Sequence, residues 1–243
     1  MLRLDQALVD RGLCESRERA KRSILAGQVL VNSQVARKPS DSVSPEDKIA
    51  LSPGEKFVSR GGYKLEHALN TFQLDVSALI AIDIGASTGG FTDCLLQRGA
   101  RQVYAVDVGK GQLAWKLRQD KRVVVMEKTN ARYLKPEQFP HPFDVAVVDC
   151  SFISLRKILP PAVALLKRQG KIVALVKPQF EAGKAEADKG RGVIRDASIH
   201  ERILEELRQF TAEQANLNWQ GAVESPLQGP AGNKEFLVLI EKL

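Results

Sequence analysis

The chain has 243 residues, of which 44% are hydrophobic, and this is enough apolar material for a large core and too much for a mainly disordered protein. Its 36 lysines and arginines against 29 acidic residues give a net charge of +7, which suits an anionic partner such as nucleic acid. The opening residues, MLRLDQALVDRGL, carry charges where a signal peptide has an apolar core, and no run reaches the roughly 18 apolar residues of a membrane span, so we expect a soluble, cytoplasmic protein.

Residues 1 to 57 predict a small α+β domain. Leu4, Ala7 and Leu8 share one face of a first helix. Ser16 is placed to cap a second helix, in which apolar residues again recur at helical spacing. The alternating run VLVNSQV then predicts a short hairpin, so two helices should pack on it.

The second helix of this domain carries a basic patch. Arg17 and Lys21 lie four residues apart on one face, so their charges repel each other unless an anion is bound there. A solvated face partly neutralised by Glu15 and Glu18 is the alternative. The candidate RNA-binding residues of this domain are Arg3, Arg17, Lys21, Arg22, Arg37 and Lys38.

Two stretches of the domain resemble a known RNA-binding module. RLDQALVDRGL and SRERAKRSILAGQVLVNSQ are similar to the module first seen in ribosomal protein S4, over about residues 2 to 50. The resemblance implies binding to structured RNA through the helix that holds Arg17 to Arg22.

The remaining residues, 58 to 243, predict an α/β domain after a linker from Ser52 to Gly62. Near-continuous apolar runs, which suit parallel strands buried on both faces, occur at 79–85, 102–109, 122–128, 144–150 and 171–177. The last two strands, near 218–224 and 234–241, flank a Pro/Gly turn too short for a helix and should pair antiparallel. The pattern resembles a Rossmann-like methyltransferase sheet, mostly parallel with an antiparallel last strand.

The segment DIGASTGG, from Asp83 to Gly90, predicts a ligand-binding turn at the end of the first strand of this sheet. Asp107, after the next strand, is placed for a ribose diol. The glycine spacing is not GxGxxG, and Asp83 would repel a pyrophosphate but attract an ammonium. These features favour S-adenosyl-L-methionine over NAD; an NAD-dependent dehydrogenase and a turn without a ligand are the alternatives. The candidate cofactor-binding residues are Asp83, Gly85, Ser87, Gly89, Gly90, Phe91, Asp107, Asn130 and Asp149.

Four charged residues, Lys64, Asp149, Lys177 and Glu235, are candidates for one site. The last three stand at the ends of predicted strands, and Lys64 lies on the segment that leads into the sheet domain, just before a predicted helix. Asp149 and Lys177 end parallel strands, and Glu235 begins the antiparallel one, so these three open onto one edge of the sheet. Each alone would fit a surface ion pair, but together they form a candidate catalytic site. The cysteines and histidines lack the spacing of a disulfide framework or a metal site, so we expect neither.

The four residues resemble the lysine-aspartate-lysine-glutamate tetrad of FtsJ-type ribose 2′-O-methyltransferases. With the RNA-binding module in front, and SRGGYKL, DIGASTGGFTD, VVDCSFISL and VKPQFE in order, nearly the whole chain is similar to the TlyA family of rRNA methyltransferases. The resemblance implies methylation of a cytidine 2′-hydroxyl in ribosomal RNA, with S-adenosyl-L-methionine as cofactor. Because the chain begins at its RNA module and stops at its last strand, we expect large-subunit rRNA, with small-subunit rRNA as the alternative.

The chemistry of a ribose hydroxyl suggests a role for each member of the tetrad. A hydroxyl is a weak nucleophile at neutral pH, and in-line methyl transfer requires its proton to leave. We expect Lys177 to receive or direct that proton, which requires its pKa to be lowered by burial or by Lys64 nearby. Asp149 and Glu235 would hold the lysines, while Lys64 would orient the hydroxyl and stabilise charge that develops on its oxygen.

A basic loop from Gln179 to Asp196 follows Lys177. Its Lys189 and Arg191 are candidate RNA-binding residues that could close on an RNA backbone; a solvated loop balanced by its own acidic residues is the alternative. The expected partner is ribosomal RNA or a ribosomal subunit, and no membrane. Two other functions stay open: a haemolysin-like membrane-active protein, because members of the family have carried that name, and an RNA-binding protein with an inactive methyltransferase domain.

Overall fold

The computed structural model describes residues 1–52, 55–183, 186, 190, 192–214 and 216–243. The chain divides into two compact units, Met1–Lys56 and Phe57–Leu243. Phe57, which the sequence pattern placed in the first domain, is 2% exposed and lies in the apolar core of the second unit with Leu65 and Phe91. Its ring packs edge-on against Tyr63 at 5.1 Å, so the second unit begins one residue earlier than expected.

The first unit consists of two helices and two small sheets. Ser16 caps the second helix by accepting a hydrogen bond from the Arg19 amide at 3.2 Å, as a serine at this position does. The core of the unit lies between the helices and the strands and contains Leu4, Leu8 and Ile24. The elements are β1 (Leu2–Arg3), α1 (Leu4–Asp10), α2 (Arg17–Leu25), β2 (Val29–Val31), β3 (Gln34–Val35), β4 (Ser42–Val43) and β5 (Ile49–Leu51).

The second unit is built on a seven-stranded sheet of order β11-β12-β10-β9-β6-β7-β8. Its strands are β6 (Ile80–Ile84), β7 (Gln102–Val106), β8 (Val123–Met126), β9 (Phe143–Val148), β10 (Leu166–Val176), β11 (Leu217–Glu224) and β12 (Phe236–Lys242). Only β12 runs against the others, because it pairs antiparallel with both β10 and β11. The predicted fold class, a mostly parallel sheet with an antiparallel last strand, is confirmed.

Helices cover both faces of this sheet. They are α3 (Gly61–Thr71), α4 (Gly90–Gln97), α5 (Trp115–Arg118), α6 (Leu159–Leu165), α7 (Pro178–Glu181) and α8 (Ala197–Ala212). Neighbouring residues of β6 belong to the apolar cores on opposite faces of the sheet. Ala81 packs with α3 and α4, whereas Ile82 packs with α6 and α8. This two-sided burial explains why the strands are apolar at nearly every position. Lys64, which we expected on a segment that precedes a helix, lies inside α3.

The chain reverses direction across the sheet between β6 and β9. It passes from β6 to β7 and β8 on one side, then crosses to β9, which pairs with β6 on the other side. The ends of β6 and β9 meet where the Asp149 amide donates a hydrogen bond to the Ile84 carbonyl at 3.0 Å. In open α/β sheets, ligands bind at such a reversal, beyond the carboxyl ends of the strands. We call this edge the carboxyl edge.

Candidate active site at the carboxyl edge of the sheet

The first feature of the edge is a buried ion pair between Lys64 and Glu235. Lys64 projects from α3, and its Nζ contacts Oε2 of Glu235. Glu235 immediately precedes β12 and is 2% exposed. Since β12 is antiparallel, its beginning lies where the parallel strands end, and this brings the carboxylate to the edge. A buried carboxylate opposite a buried ammonium holds the lysine in one position.

A second ion pair joins Lys177 to Asp149. Lys177 follows β10, Asp149 follows β9, and the Lys177 Nζ lies 2.6 Å from Asp149 Oδ1. The same Nζ donates a hydrogen bond to Ser151 Oγ at 2.8 Å. The arrangement leaves each of the two lysines with its own carboxylate.

These groups surround a cavity of about 250 Å³, which we call the small cavity. Lys64, Asp149 and Lys177 line it, and so do Asp83 and Ser151. Glu235 does not line the cavity, but it contacts Lys64, which does. The structure therefore brings the predicted tetrad together, with three members on the cavity surface and the fourth behind Lys64.

Asp83 is a fully buried carboxyl group with one unused oxygen. Its Oδ2 accepts hydrogen bonds from the Thr92 amide at 2.9 Å and the Thr92 hydroxyl at 2.6 Å. Its Oδ1 has no hydrogen-bond partner among the described residues. Burial, helped by the negative charge of Asp149, raises the pKa of Asp83 to about 7, against the lowering effect of Thr92. A cation in the small cavity would supply the interaction that this carboxyl group lacks.

A second, larger cavity of about 470 Å³ adjoins the small one, and Gly85, Ser87, Asp149 and Ser151 line both. Asp107 and Asn130 line only the larger cavity. The Asp107 carboxylate accepts hydrogen bonds from the Ser87 amide at 2.8 Å and the Gly109 amide at 2.7 Å, so it also fixes the turn that follows β6. Asn130 is exposed and caps a short 3₁₀ helix through the Arg132 amide.

The glycines of the DIGASTGG turn do different things. Gly85 has φ +88°, and a Cβ there would lie 2.5 Å from the Asp149 carbonyl oxygen. Gly89, another candidate cofactor-binding residue, has φ +99°; a Cβ there would lie 2.3 Å from Leu117, and Gly89 is not on the surface of either cavity. Gly90 and Phe91, two of the candidate cofactor-binding residues, line the small cavity.

The loops after β9 and β10 are joined by further contacts. The Phe152 ring, 89% exposed and on a residue with φ +63°, lies 5.0 Å from the Phe180 ring. Glu181 accepts hydrogen bonds from the Ser154 hydroxyl at 2.6 Å and from the Leu155 amide at 2.7 Å. Burial raises the pKa of Glu181. These contacts join the loop that contributes Phe152 to the larger cavity to α7, which follows Lys177.

Sequence reasoning missed several residues of the site. Ser151 follows Asp149 by two positions, so a closer inspection of that strand end would have found it. Thr92 carried no signal, because its contact with Asp83 depends on how α4 packs against β6. Cys150 lines the larger cavity, and burial raises the pKa of its thiol to about 12, which keeps it protonated.

In the first unit, the candidate RNA-binding residues are exposed, and two of them share a partner that the sequence did not reveal. Arg3 and Arg17 both contact Oδ2 of Asp5, at 3.0 Å and 3.2 Å. Asp5 is fully buried, and the hydrogen bond from Arg3 is the main cause that lowers its pKa to about 2. Lys21, Arg22, Arg37 and Lys38 are exposed, whereas Lys189 and Arg191 lie outside the described residues.

Two features of the described ranges bear on other functions. No helix in them is both long and apolar enough to cross a membrane. They also contain no group of three or more His, Cys, Asp and Glu side chains placed to hold a metal ion.

Two family profiles match the chain. The profile described as FtsJ-like methyltransferase matches residues 57–242, and that of the S4 domain matches residues 2–49.

Several curated proteins are similar over most of their length. The Mycobacterium tuberculosis protein named 16S/23S rRNA (cytidine-2′-O)-methyltransferase TlyA is 45% identical over 97% of this chain and 88% of its own. Hemolysin A of Brachyspira hyodysenteriae is 42% identical, over 97% and 98%. The Campylobacter jejuni protein named 23S rRNA (cytidine-2′-O)-methyltransferase TlyA is 34% identical, over 82% and 79%.

Solved structures agree with the fold. A Streptococcus thermophilus protein described as a hemolysin has a TM-score of 0.76 and 48% identity, over 99% of this chain and 88% of that one. The N-methyltransferase NodS of Bradyrhizobium japonicum, solved in complex with S-adenosyl-L-homocysteine, shares the fold at 18% identity, with a TM-score of 0.50 over 73% of this chain and 85% of that one.

Proposed function

The chain belongs to the FtsJ-like methyltransferase family, as its motifs predicted, and on that premise we propose that it transfers a methyl group from S-adenosyl-L-methionine to the 2′-hydroxyl of a cytidine in ribosomal RNA. The observation that carries this proposal is the pair of lysines on one cavity, each held by its own carboxylate. Two positioned lysines suit a reaction in which one, as an ammonium, orients the hydroxyl oxygen and the other, as a neutral amine, takes its proton.

The residues around the two cavities fit this cofactor. The unpartnered oxygen of Asp83 suits the ammonium of the methionine portion, and the larger cavity beside Asp107 suits a nucleoside. Gly85 lines both cavities, and because it has no side chain the turn can lie against the Asp149 carbonyl. When bound, the cofactor would supply an electrophilic methyl group on a positively charged sulfur.

The tetrad would act on the ribose hydroxyl. Lys177, held by Asp149 and Ser151, would direct the hydroxyl proton and, in its neutral amine form, receive it. Lys64, held by Glu235, would donate a hydrogen bond to the hydroxyl oxygen and stabilise the negative charge that develops there. The two carboxylates orient the lysines; since Glu235 lies behind Lys64, it has no direct path to the substrate in this arrangement.

The substrate class is supported from two directions. The S4 domain over residues 2–49 presents exposed arginines that suit an RNA backbone. Both the Mycobacterium tuberculosis and the Campylobacter jejuni relatives are named for cytidine 2′-O-methylation, and 23S rRNA is common to their names. We therefore propose large-subunit rRNA as the substrate, which would place the protein in the cytoplasm.

The test is methyl transfer to rRNA from cells that lack the gene. We expect labelled methyl groups from S-adenosyl-L-methionine to appear as 2′-O-methylcytidine in 23S rRNA, with Lys177→Ala reducing transfer at least about 100-fold. Lys171→Ala is the matched control, because Lys171 begins the long apolar run of the same strand and pairs with Glu241 at the opposite edge. It should retain near-normal activity.

Other outcomes would redirect the proposal. Labelled methyl groups on 16S rRNA alone would replace the proposed substrate. Near-normal transfer by Lys177→Ala would remove the proposed role of the tetrad. The relatives named as hemolysins make red-cell lysis the measurement for the membrane-active alternative, and lysis undiminished in Lys177→Ala would favour it.

A further inference from the structure

Asn233 is a buried amide that the proposed reaction does not use. It lies in the turn between β11 and β12 and is 1% exposed. Its Oδ1 accepts a hydrogen bond from the Ile194 amide at 2.9 Å, and its Nδ2 donates one to the Gly192 carbonyl at 2.9 Å. One side chain thus satisfies the main chain of a segment about 40 residues earlier, which follows Lys177 and α7.

The segment that Asn233 holds is also fixed from its other side. The Ile194 carbonyl lies 3.0 Å from His200 Nε2, and because a carbonyl can only accept, that nitrogen carries the proton. The His200 ring packs against Phe236, the first residue of β12, at 5.5 Å. The Gly192–Ile194 segment is therefore attached to the start of β12 at two points.

The turn that contains Asn233 encloses Glu235. The Gly229 amide donates to the Asn233 carbonyl at 2.9 Å, and the Ser225 amide donates to the Glu235 carbonyl at 2.8 Å. A Cβ at Gly229 would lie only 2.6 Å from Glu235 Oε1, so the turn is in contact with that carboxylate. The other carboxylate oxygen, Oε2, contacts Lys64. A displacement of this turn would consequently move the group that orients Lys64.

We propose that Asn233 is a positioning residue: it holds Glu235, and through Glu235 the ammonium of Lys64, in register with the segment that follows Lys177. Its significance for catalysis rests on the proposed function. Loss of the side-chain amide would leave the buried Ile194 main-chain amide without its partner and would free the Gly192 carbonyl, and the turn would shift in response. A shift of about 1 Å in a reacting geometry lowers a rate about 100-fold, so a small movement of Glu235 is enough to reduce turnover.

The experiment is a double-mutant cycle in kcat with saturating rRNA and S-adenosyl-L-methionine. Asn233→Ala should lower kcat at least about tenfold in the native background, with cofactor affinity unchanged within about twofold. In the Glu235→Gln background, where the carboxylate is already lost, Asn233→Ala should lower kcat less than about twofold. Asn218→Ala, an exposed asparagine on β11, is the control and should behave as the native protein.

Two results would overturn the proposal. The first is an unchanged kcat for a folded Asn233→Ala. The second is a double variant whose loss in kcat equals the product of the two single losses, since independent residues combine in that way. If Asn233→Ala fails to fold, Asn233→Asp replaces it: it keeps an acceptor for Ile194 and loses the donor to Gly192, and it is expected to lower kcat at least about fivefold.

A measurement without turnover separates this inference from the proposed function. The ¹H–¹⁵N spectrum of the lysine ammonium groups reports the Lys64–Glu235 pair directly, and Lys64→Arg assigns its signal. We expect the Lys64 signal to shift or broaden in Asn233→Ala and to stay in place in Asn218→Ala. A native protein that methylates no rRNA would refute the proposed function. The spectrum would then still show whether Asn233 positions Glu235 and Lys64.

Discussion

Two opposing effects act on the pKa of the Asp83 carboxyl group. Burial raises its pKa to about 7, and the hydrogen bonds from Thr92 act in the opposite direction. In the ligand-free protein, the folded-state pKa lies above the ordinary 3.8, so ionisation costs stability. The free energy of unfolding should therefore fall as pH rises from about 4 to about 7, and Asp83→Asn should remove that dependence in denaturant titrations.

Cofactor binding should show the reverse dependence on pH at this residue. An ammonium ligand interacts with the carboxylate form, so the affinity for S-adenosyl-L-methionine should rise as pH increases through about 7. Calorimetric titrations between about pH 5.5 and 7.5 avoid the ionisation of the ligand's own amine, near pH 8. Asp83→Asn should bind more weakly and without this pH dependence. A native affinity that is flat across the range would exclude contact between Asp83 and the ammonium.

Asp5 gives a second prediction at a single residue. Because Arg3 and Arg17 both contact this buried carboxylate, Asp5→Asn should release both guanidinium groups and weaken RNA binding several-fold. Filter binding of rRNA at fixed salt measures the effect, with Asp10→Asn as the control because Asp10 is exposed and contacts only Gln6 in the described structure. Equal affinities of the two variants would show that Asp5 does not position the arginines for RNA.

The pKa of Asp5 also sets a pH range for the stability of the first unit. Its pKa in the folded protein, about 2, lies below the ordinary 3.8. The stabilisation by the two arginines is therefore fully present above about pH 4 and is lost as pH falls toward 2. Acid unfolding followed by circular dichroism should show this loss in the native chain and not in Asp5→Asn.

At the scale of the elements, the positions of the strand ends in the second unit could be predicted from the sequence. The side-chain contacts between separate elements could not. Asp149, Lys177 and Glu235 could be placed because period, turn length and strand direction determine where a strand ends. Asn233 and Thr92 could not be placed, because their partners are set by how separate elements pack. Lys64 was expected before its helix and lies inside it, since glycines Gly61 and Gly62 begin α3 instead of ending the linker.

The turn between β6 and α4 allows a test with a matched pair of glycines. Gly85 and Gly111 both have positive φ, +88° and +74°, but a Cβ at Gly85 meets the Asp149 carbonyl, whereas one at Gly111 meets nothing within 4 Å. Gly111→Ala should cost about 1 kcal/mol, from backbone strain alone. Gly85→Ala should cost about 3 kcal/mol or more and abolish cofactor binding. Denaturant unfolding and calorimetry measure the two effects, and equal losses of stability would contradict the proposed close approach.

At the scale of the whole molecule, the two units supply different properties. The first unit carries an exposed basic helix, and the second carries the cavities and the ion-paired lysines. Arg17→Ala combined with Lys21→Ala should therefore raise KM for rRNA about tenfold, with little change in cofactor affinity or in kcat at saturating RNA. Steady-state kinetics at several salt concentrations measure this division. A fall in kcat at unchanged KM would show instead that the first unit takes part in the chemical step.

The position of β12 has a consequence for the synthesis of the protein. This strand lies between β10 and β11, yet the ribosome makes both of its neighbours first. The nascent chain therefore cannot complete its sheet until β12 emerges, and until then Lys64 has no Glu235 to orient it. The order of translation thus delays the complete catalytic arrangement until β12 has left the exit tunnel.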